Sequence, residues 1–181
     1  MKQTVRIIGG QYRGKKLHFP DIEGLRPTPD RVKETLFNWL MHDIRDTRCL
    51  DAFAGSGALG FEAYSRGAKQ VVLVEASPKI YSNLKQIASS FRSHGLTVVN
   101  ANSEDYFQKT SEVFDIIFLD PPFASNYLSH CLDFIAHSNL LRQGGLVYLE
   151  SAEMPHPDPT VWQERKSKKA GNVYYGLYEK L

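Results

Sequence analysis

From residue 49 onward, short runs of apolar residues alternate with stretches whose apolar positions recur at helical spacing. The apolar runs are 49–53, 71–75, 97–100, 114–120 and 146–150, and the predicted helices lie near 57–66, 78–92, 103–109 and 126–137. Strands that are apolar along their whole length and alternate with helices are typical of a parallel sheet covered on both faces. Because crossovers are right-handed, the pattern predicts a doubly wound, mostly parallel, Rossmann-like α/β sheet.

The residues before this alternation predict a small extension made of a hairpin and a helix. Segments 5–8 and 15–19 have strand character and flank a loop that contains glycines. We expect Thr28 to cap the following helix, with Pro29 at its first helical position. The apolar positions of one face of that helix are Val32, Leu36, Trp39 and Leu40. The predicted organisation is therefore an extension over 1–46 and a main domain over 47–181.

The end of the chain predicts a second hairpin. Segments 162–168 and 172–179 have strand character, and Ala170 and Gly171 mark the turn between them. Following five parallel strands, this hairpin would add an antiparallel strand to the sheet.

Composition narrows the class of protein. With 181 residues, 42% of them hydrophobic and 23% charged, the chain is expected to form one compact domain with its extension. Its two cysteines exclude a disulfide scaffold and a four-cysteine zinc site. No apolar run is long enough to span a bilayer, and the first residues lack the apolar region of a secretory signal. We therefore expect a protein without a membrane or a metal, and the cysteine count favours a reducing, cytoplasmic compartment. A monomer is expected as well, although no feature of the sequence determines the oligomeric state.

Charge is unevenly distributed along the chain. Residues 1–48 hold ten Lys and Arg against six Asp and Glu, residues 49–159 hold seven against twelve, and residues 160–181 hold five against two. Two basic ends thus flank an acidic middle. Basic segments suit a polyanion such as nucleic acid, but on charge alone solvated surface charge is the favoured explanation.

A glycine loop predicts a nucleotide-type ligand site. Gly55 to Gly60 match the pattern G-x-G-x-x-G between a predicted strand and a predicted helix. Glu75 ends the next strand, where a carboxylate can accept hydrogen bonds from both ribose hydroxyls. Two ligands fit this pattern, a nicotinamide dinucleotide and S-adenosylmethionine. Asp51, just before the loop, favours S-adenosylmethionine, because a carboxylate attracts its ammonium group and repels a pyrophosphate.

A second loop predicts the target of the reaction. Asp120, Pro121, Pro122 and Phe123 follow a buried-strand pattern at the edge of the sheet where ligands bind. The Asp120 carboxylate and the Pro121 carbonyl offer two acceptors, and Phe123 offers a flat apolar face. Together they suit a planar ring that carries an exocyclic amine, whose hydrogens are accepted while the ring stacks. Methyl transfer to such an amine needs mainly positioning, and neither a metal nor a nucleophilic side chain.

These motifs, taken with others along the chain, carry a family resemblance. The sequence resembles the bacterial 16S rRNA guanine-N2 methyltransferases of the RsmD type nearly end to end. The likeness is carried by residues 7–14, 25–28, 31–40, 51–60, 120–123 and 169–173. The two loops are shared by many amino-methyltransferases, whereas the N-terminal signatures are more specific. The resemblance implies methylation of guanine 966, in 16S numbering, on its 2-amino group within the small ribosomal subunit.

Site residues follow from the motifs and the resemblance together. The expected cofactor-binding set is Asp51, Phe53, Gly55, Gly57, Glu75, Ala76, Asn102, Ser103, Arg31 and Asn38, with the last two closing the pocket from the N-terminal helix. The expected catalytic set is Asp120, Pro121, Pro122 and Phe123. Arg13, Lys15 and Lys16 are expected to contact rRNA phosphates. Ser103 stands where Asp is frequent in such enzymes.

Two alternatives remain open from the sequence. A DNA or RNA adenine-N6 methyltransferase would use the same two loops, although the DNA enzymes usually need a separate target-recognition domain. A non-enzymatic RNA-binding ribosome-assembly factor would explain the basic ends, but it would not need the loop that begins at Asp120.

Overall fold

The structure is a computed structural model, and it describes residues 3–22, 25, 27–121 and 125–181. Nine strands and five helices are found in this part of the chain. The strands are β1 (Gln3–Arg6), β2 (Lys16–Phe19), β3 (Arg48–Asp51), β4 (Gln70–Glu75), β5 (Leu96–Asn100), β6 (Phe114–Leu119), β7 (Leu141–Ser151), β8 (Trp162–Ala170) and β9 (Val173–Lys180). The helices are α1 (Asp30–Trp39), α2 (Ala58–Ser65), α3 (Pro78–Ser90), α4 (Ser103–Lys109) and α5 (Ser125–Ala136). Among the described helices, none combines the length and the apolar surface that a bilayer crossing requires.

Seven strands form one sheet in the order β5-β4-β3-β6-β7-β9-β8. Strands β3 to β7 are parallel, whereas β9 pairs antiparallel with β7 and with β8. The doubly wound sheet and its antiparallel C-terminal addition are thus confirmed. The chain winds outward from β3 to β5 and then returns to β6 on the other side of β3. Ligands of open α/β sheets bind at such a reversal, at the carboxyl ends of the strands.

The parallel strands are apolar throughout because helices cover both faces of the sheet. On one face, the core brings together residues of β3, β4, β6, β7 and β9 with α1, α2 and α3. The other face packs against α4 and α5. The N-terminal hairpin shares the first of these cores through Val5, Ile7, Leu17 and Phe19, all buried. The predicted division into an extension over 1–46 and a main domain over 47–181 therefore stays a prediction. In the structure the two segments share one core.

The start of α1 differs from the sequence-based prediction. Pro29 occupies the N-cap position with extended backbone (φ −57°, ψ 146°), and no side chain caps the helix. The predictions of Thr28 as the cap and of Pro29 as the first helical residue were therefore wrong. The helix begins one residue later, at Asp30, whose acidic side chain suits the positive end of the helix dipole. Strand β7 is also longer than predicted, since it begins at Leu141.

A buried ion pair fastens the N-terminal hairpin to α2. The side chains of Lys33 and Glu62 are both fully buried, with Nζ 3.4 Å from Oε1. Lys33 also donates to the Arg6 carbonyl, and Glu62 accepts from the amides of Ile8 and Gly9, all at 3.0 Å. Glu62 also accepts from Arg66 Nε at 2.8 Å, so its carboxylate compensates two cations, and removing it would leave Lys33 buried without its nearest anion.

The loop of the hairpin lies against the C-terminal end of α2. A β-carbon built at Gly10, where φ is +82°, would lie 1.9 Å from the Ser65 carbonyl oxygen, so only glycine fits there. The Ser65 hydroxyl accepts from the Tyr12 amide at 2.9 Å. Because α2 runs away from the carboxyl ends of the strands, these contacts place the hairpin loop at the opposite, amino-terminal edge of the sheet.

Candidate active site

A cavity of about 770 Å³ opens at the carboxyl ends of β3, β4 and β6. This is the edge that the reversal of strand order predicts for a ligand. Its wall is formed by Leu25, Thr28, Asp51, Ala52, Phe53, Ala54, Gly55, Ser56, Ala58, Leu59, Val74, Glu75, Ala76, Ile80, Asn102, Ser103, Asp120, Pro121 and Tyr127. The volume is within the usual range for small-molecule and cofactor sites.

The two leading glycines of the loop have different roles. Both have positive φ, +53° at Gly55 and +81° at Gly57. Gly55 lies on the cavity wall, where its backbone can approach a ligand. Gly57 is the N-cap of α2 and does not appear on the wall; a β-carbon built there would lie 2.3 Å from Cε2 of Phe61. The structure therefore does not bring Gly57 to the predicted ligand position. The close packing of the Phe61 ring explains why a glycine is needed there.

Asp51 places a buried carboxyl group at the base of the cavity. Its Oδ2 accepts from the Gly60 amide at 2.9 Å. Burial raises the pKa of Asp51 to about 7, and the amides of Gly60 and Phe53 partly oppose this effect. A cationic ligand group would favour the ionised carboxylate and lower that pKa again.

Glu75 is held at the end of β4 by two backbone amides. Its Oε1 accepts from Gly55 at 3.0 Å and its Oε2 from Ser77 at 2.9 Å. Each oxygen keeps a further lone pair for a ligand hydroxyl. The glycine loop and the carboxylate are thus joined directly, so that a ligand on one touches the other. Ala76, the next residue, also lies on the wall, as predicted.

The turn after β5 completes one side of the cavity. Asn102 caps α4 by accepting from the Glu104 amide at 2.8 Å. The Ser103 hydroxyl donates to the Ala52 carbonyl, which ties the start of α4 to the end of β3. Both residues lie on the wall, as predicted, but the hydroxyl of Ser103 is occupied by the backbone. Phe53 and Tyr127 meet edge to face with ring centroids 5.5 Å apart, and they supply the apolar part of this side.

A second carboxyl group, Glu150, accompanies Asp120. The pairing of Leu119 with Leu149 between β6 and β7 puts the two acids on neighbouring strands. Their side chains are hydrogen-bonded to each other, and Tyr148 donates its hydroxyl to Glu150 Oε1 at 2.5 Å. Burial, followed by the charge of Glu150, raises the pKa of Asp120 to about 8; burial also raises the pKa of Glu150. Because the charge of one group opposes ionisation of the other, we expect the pair to hold one proton near neutral pH.

The remaining predicted residues divide into three groups. Pro121 lies on the cavity wall, whereas Pro122 and Phe123 lie outside the described residues. Arg31 and Asn38 are exposed on α1 and are absent from the wall, because the helix buries the face of Val32 and Leu36 instead. The structure does not bring these two residues to the cavity.

The predicted phosphate contacts also lie away from the cavity, in and beside the hairpin loop. Arg13 and Lys16 are exposed, and Lys15 Nζ lies 4.9 Å from the ring centroid of Phe91, at the end of α3. From the extension, it is Leu25 and Thr28 that reach the cavity wall. No motif assigned them a role, although their segment carried part of the family resemblance. Tyr127 and Glu150 were missed as well, since neither belongs to a loop motif.

Comparison with known proteins shows which family this chain is similar to. A family model described as Conserved hypothetical protein 95 matches residues 5–179. Ribosomal RNA small subunit methyltransferase D of Haemophilus influenzae is 43% identical, covering 98% of this chain and 95% of the relative. The protein of the same name from Escherichia coli K12 is 42% identical, covering 97% and 90%. The solved structure of yhhF, a candidate methyltransferase from Escherichia coli, superposes with a TM-score of 0.88 at 41% identity and covers 98% of both chains.

Proposed function

The chain belongs to the family of the ribosomal RNA small subunit methyltransferases D, and we propose that it transfers a methyl group from S-adenosylmethionine to the 2-amino group of a guanine in 16S rRNA. The observation that carries this proposal is the convergence of Asp51, Glu75 and Asp120 on one cavity at the reversal of strand order. A cation-binding carboxylate, a ribose-binding carboxylate and an amine-binding loop are what the reaction requires.

The residues present fit S-adenosylmethionine better than a dinucleotide. Asp51 is a buried carboxyl group with no cation beside it among the described residues, so it suits the ammonium group of an amino-acid tail. Gly55 exposes its backbone beside Glu75, whose carboxylate suits the ribose hydroxyls. Phe53 and Tyr127 offer apolar surface for a purine. When bound, the cofactor supplies a methyl group made electrophilic by a positively charged sulfur.

The chain's own residues then position the acceptor amine. Asp120 and the carbonyl of Pro121 accept its hydrogens, which turns the nitrogen lone pair toward the cofactor side of the cavity. Methylation leaves the nitrogen positively charged, and it loses a proton readily. The Asp120–Glu150 pair can accept that proton, because with a single bound proton it still carries one negative charge.

The finer assignment is guanine 966, from the family resemblance. Small ribosomal subunits with unmethylated 16S rRNA should be incubated with the protein and labelled S-adenosylmethionine, and the digested rRNA analysed by mass spectrometry. We expect N2-methylguanosine at one position, and loss of the product with Asp120→Ala. Methyladenosine would instead support an adenine-N6 enzyme, and binding without any transfer would support an assembly factor.

Arg13, Lys15 and Lys16 remain proposed phosphate contacts. Since the hairpin loop lies at the opposite edge of the sheet from the cavity, they would bind a part of the rRNA distant from the target base. The subunit and its 16S rRNA are the proposed partner, and the cytoplasm and the monomeric state stay predictions.

A further inference from the structure

The edge strand β8 carries a run of cations that the proposed site does not use. Arg165, Lys166, Lys168 and Lys169 fall within five residues, and all four are exposed. Of these four, only Arg165 makes a salt bridge within the described part of the chain, to Glu179. Lys169 lies over the ring of Tyr174, with Nζ 5.0 Å from its centroid. Three ammonium groups are therefore available to an anion.

Strand register places these cations at the edge of the sheet that holds the cavity. Glu150 on β7 pairs with Tyr175 on β9, which pairs with Lys168 on β8. Asp120 lies beside Glu150 at the end of β6, so one row crosses the sheet from the catalytic loop to Lys168. Three inter-strand spacings of about 4.8 Å make that row roughly 14 Å long. An RNA strand that leaves a target base at Asp120 can cross this distance in a few nucleotides.

Aromatic side chains lie beside the cations on both faces of the hairpin. Directly paired residues share a face, so Lys168 lies with Tyr175, on which Trp39 stacks at 5.5 Å between centroids. Lys169 lies with Tyr174 on the other face. Tyr175 is buried in the core, so the rings that a base could reach beside these cations are the partly exposed Trp39 and Tyr174. Cations beside such rings are the arrangement that binds a nucleic-acid strand through its phosphates and bases. The strand pairing is continuous from Lys166 to Ala170, up to the tight turn at Gly171, where φ is +59°.

We propose that the β8–β9 hairpin binds the phosphates of the rRNA strand next to the target base, through Lys166, Lys168 and Lys169. This inference rests on the proposed function, since it assumes that the target enters the cavity at Asp120. The two hairpins would then contact different parts of the rRNA, because the N-terminal hairpin loop lies at the far edge of the sheet from the cavity. Charges on an edge strand can also serve to prevent pairing with strands of other molecules. If the lysines of β8 have only this protective role and do not bind RNA, the proposal is overturned.

The test compares two double variants with the wild-type protein. Lys168→Gln/Lys169→Gln removes two cations from the hairpin while keeping long polar side chains. Lys69→Gln/Lys109→Gln removes two exposed cations that precede β4 and β6 at the opposite edge of the sheet, and it serves as the matched control. Binding to small ribosomal subunits with unmethylated 16S rRNA is measured at several salt concentrations, together with kcat, KM and cofactor affinity.

We expect the hairpin variant to show a salt dependence of log K that is shallower by about 1.4 to 1.8, which corresponds to two lost phosphate contacts. Its KM for subunits should rise about tenfold or more, while its kcat and its affinity for S-adenosylmethionine stay unchanged. The control should keep the wild-type salt dependence. An unchanged salt dependence in the hairpin variant, with a wild-type protein that methylates subunits, would overturn the hairpin proposal alone. A wild-type protein that neither binds nor methylates subunits would overturn the proposed function, and this inference with it.

Discussion

The shared proton of Asp120 and Glu150 predicts an unusual pH dependence of stability. As separate groups these acids have ordinary pKa values of 3.8 and 4.5, whereas burial and mutual repulsion raise the pKa of Asp120 to about 8 in the folded protein. Between these values the folded state binds one more proton than the unfolded state. Its free energy of unfolding therefore falls as pH rises, by about 1.4 kcal/mol per pH unit from this pair.

Asp120→Asn replaces the shared proton with an amide that can donate to Glu150. The stability of the variant relative to wild type should then increase by about 3 kcal/mol between pH 5 and pH 7, since the contribution of Asp51 is common to both proteins and cancels. Urea unfolding at half-unit pH intervals measures this difference. Glu150→Gln should give a smaller change in the same direction, because burial, the larger cause, still raises the pKa of Asp120. Asp43→Asn, at an exposed acid after α1, serves as the control. Parallel stability curves for Asp120→Asn and wild type would refute the shared proton.

Three further predictions follow from the site and its support. Gly57→Ala should lower the free energy of unfolding by about 2–5 kcal/mol, because its backbone is left-handed and the new methyl group would clash with the ring of Phe61. Gly55→Ala should cost less stability but weaken S-adenosylmethionine binding, and equal stability losses in the two variants would contradict this. Calorimetric affinity for S-adenosylmethionine should fall up to tenfold per pH unit below about pH 7, and Asp51→Asn should weaken binding and reduce this dependence; an unaltered pH profile would exclude the carboxylate. Glu62→Gln should cost about 3–5 kcal/mol by leaving Lys33 buried without its nearest anion. Adding Lys33→Met should recover part of this loss, and additive losses would contradict the expectation.

The fold could be predicted from the sequence because its strands are buried on both faces. Apolar runs such as 71–75 have no other stable place than the interior of a covered parallel sheet. The start of α1 was predicted less accurately than the strands. Thr28 as the N-cap with Pro29 as the first helical residue, and Pro29 as the N-cap, fit the sequence equally well. The structure puts Pro29 at the N-cap and Leu25 and Thr28 on the cavity wall, a tertiary arrangement that local propensity does not specify.

The site residues that lie at the carboxyl end of a parallel strand could be predicted from the sequence. Asp51, Glu75 and Asp120 each end or follow a parallel strand, so topology alone brings them together. Glu150 was missed because it belongs to no loop motif, and only the register between β6 and β7 reveals it. For Gly57, sequence pattern does not distinguish a glycine that admits a ligand from one that admits a neighbouring ring.

The uneven charge along the chain gains a physical meaning once the topology is known. Four acids of the acidic middle lie together at one edge of the sheet, namely Asp51, Glu75, Asp120 and Glu150. Their electric field there favours a cationic cofactor and opposes the entry of phosphate. A polyanion that approaches this edge is attracted at its margin by the cations of β8. Under the proposed function, the rRNA backbone would therefore stay outside while an uncharged base alone enters, which requires that the base leave its stack. Selection for an extruded base then follows from the placement of charge as much as from the shape of the cavity.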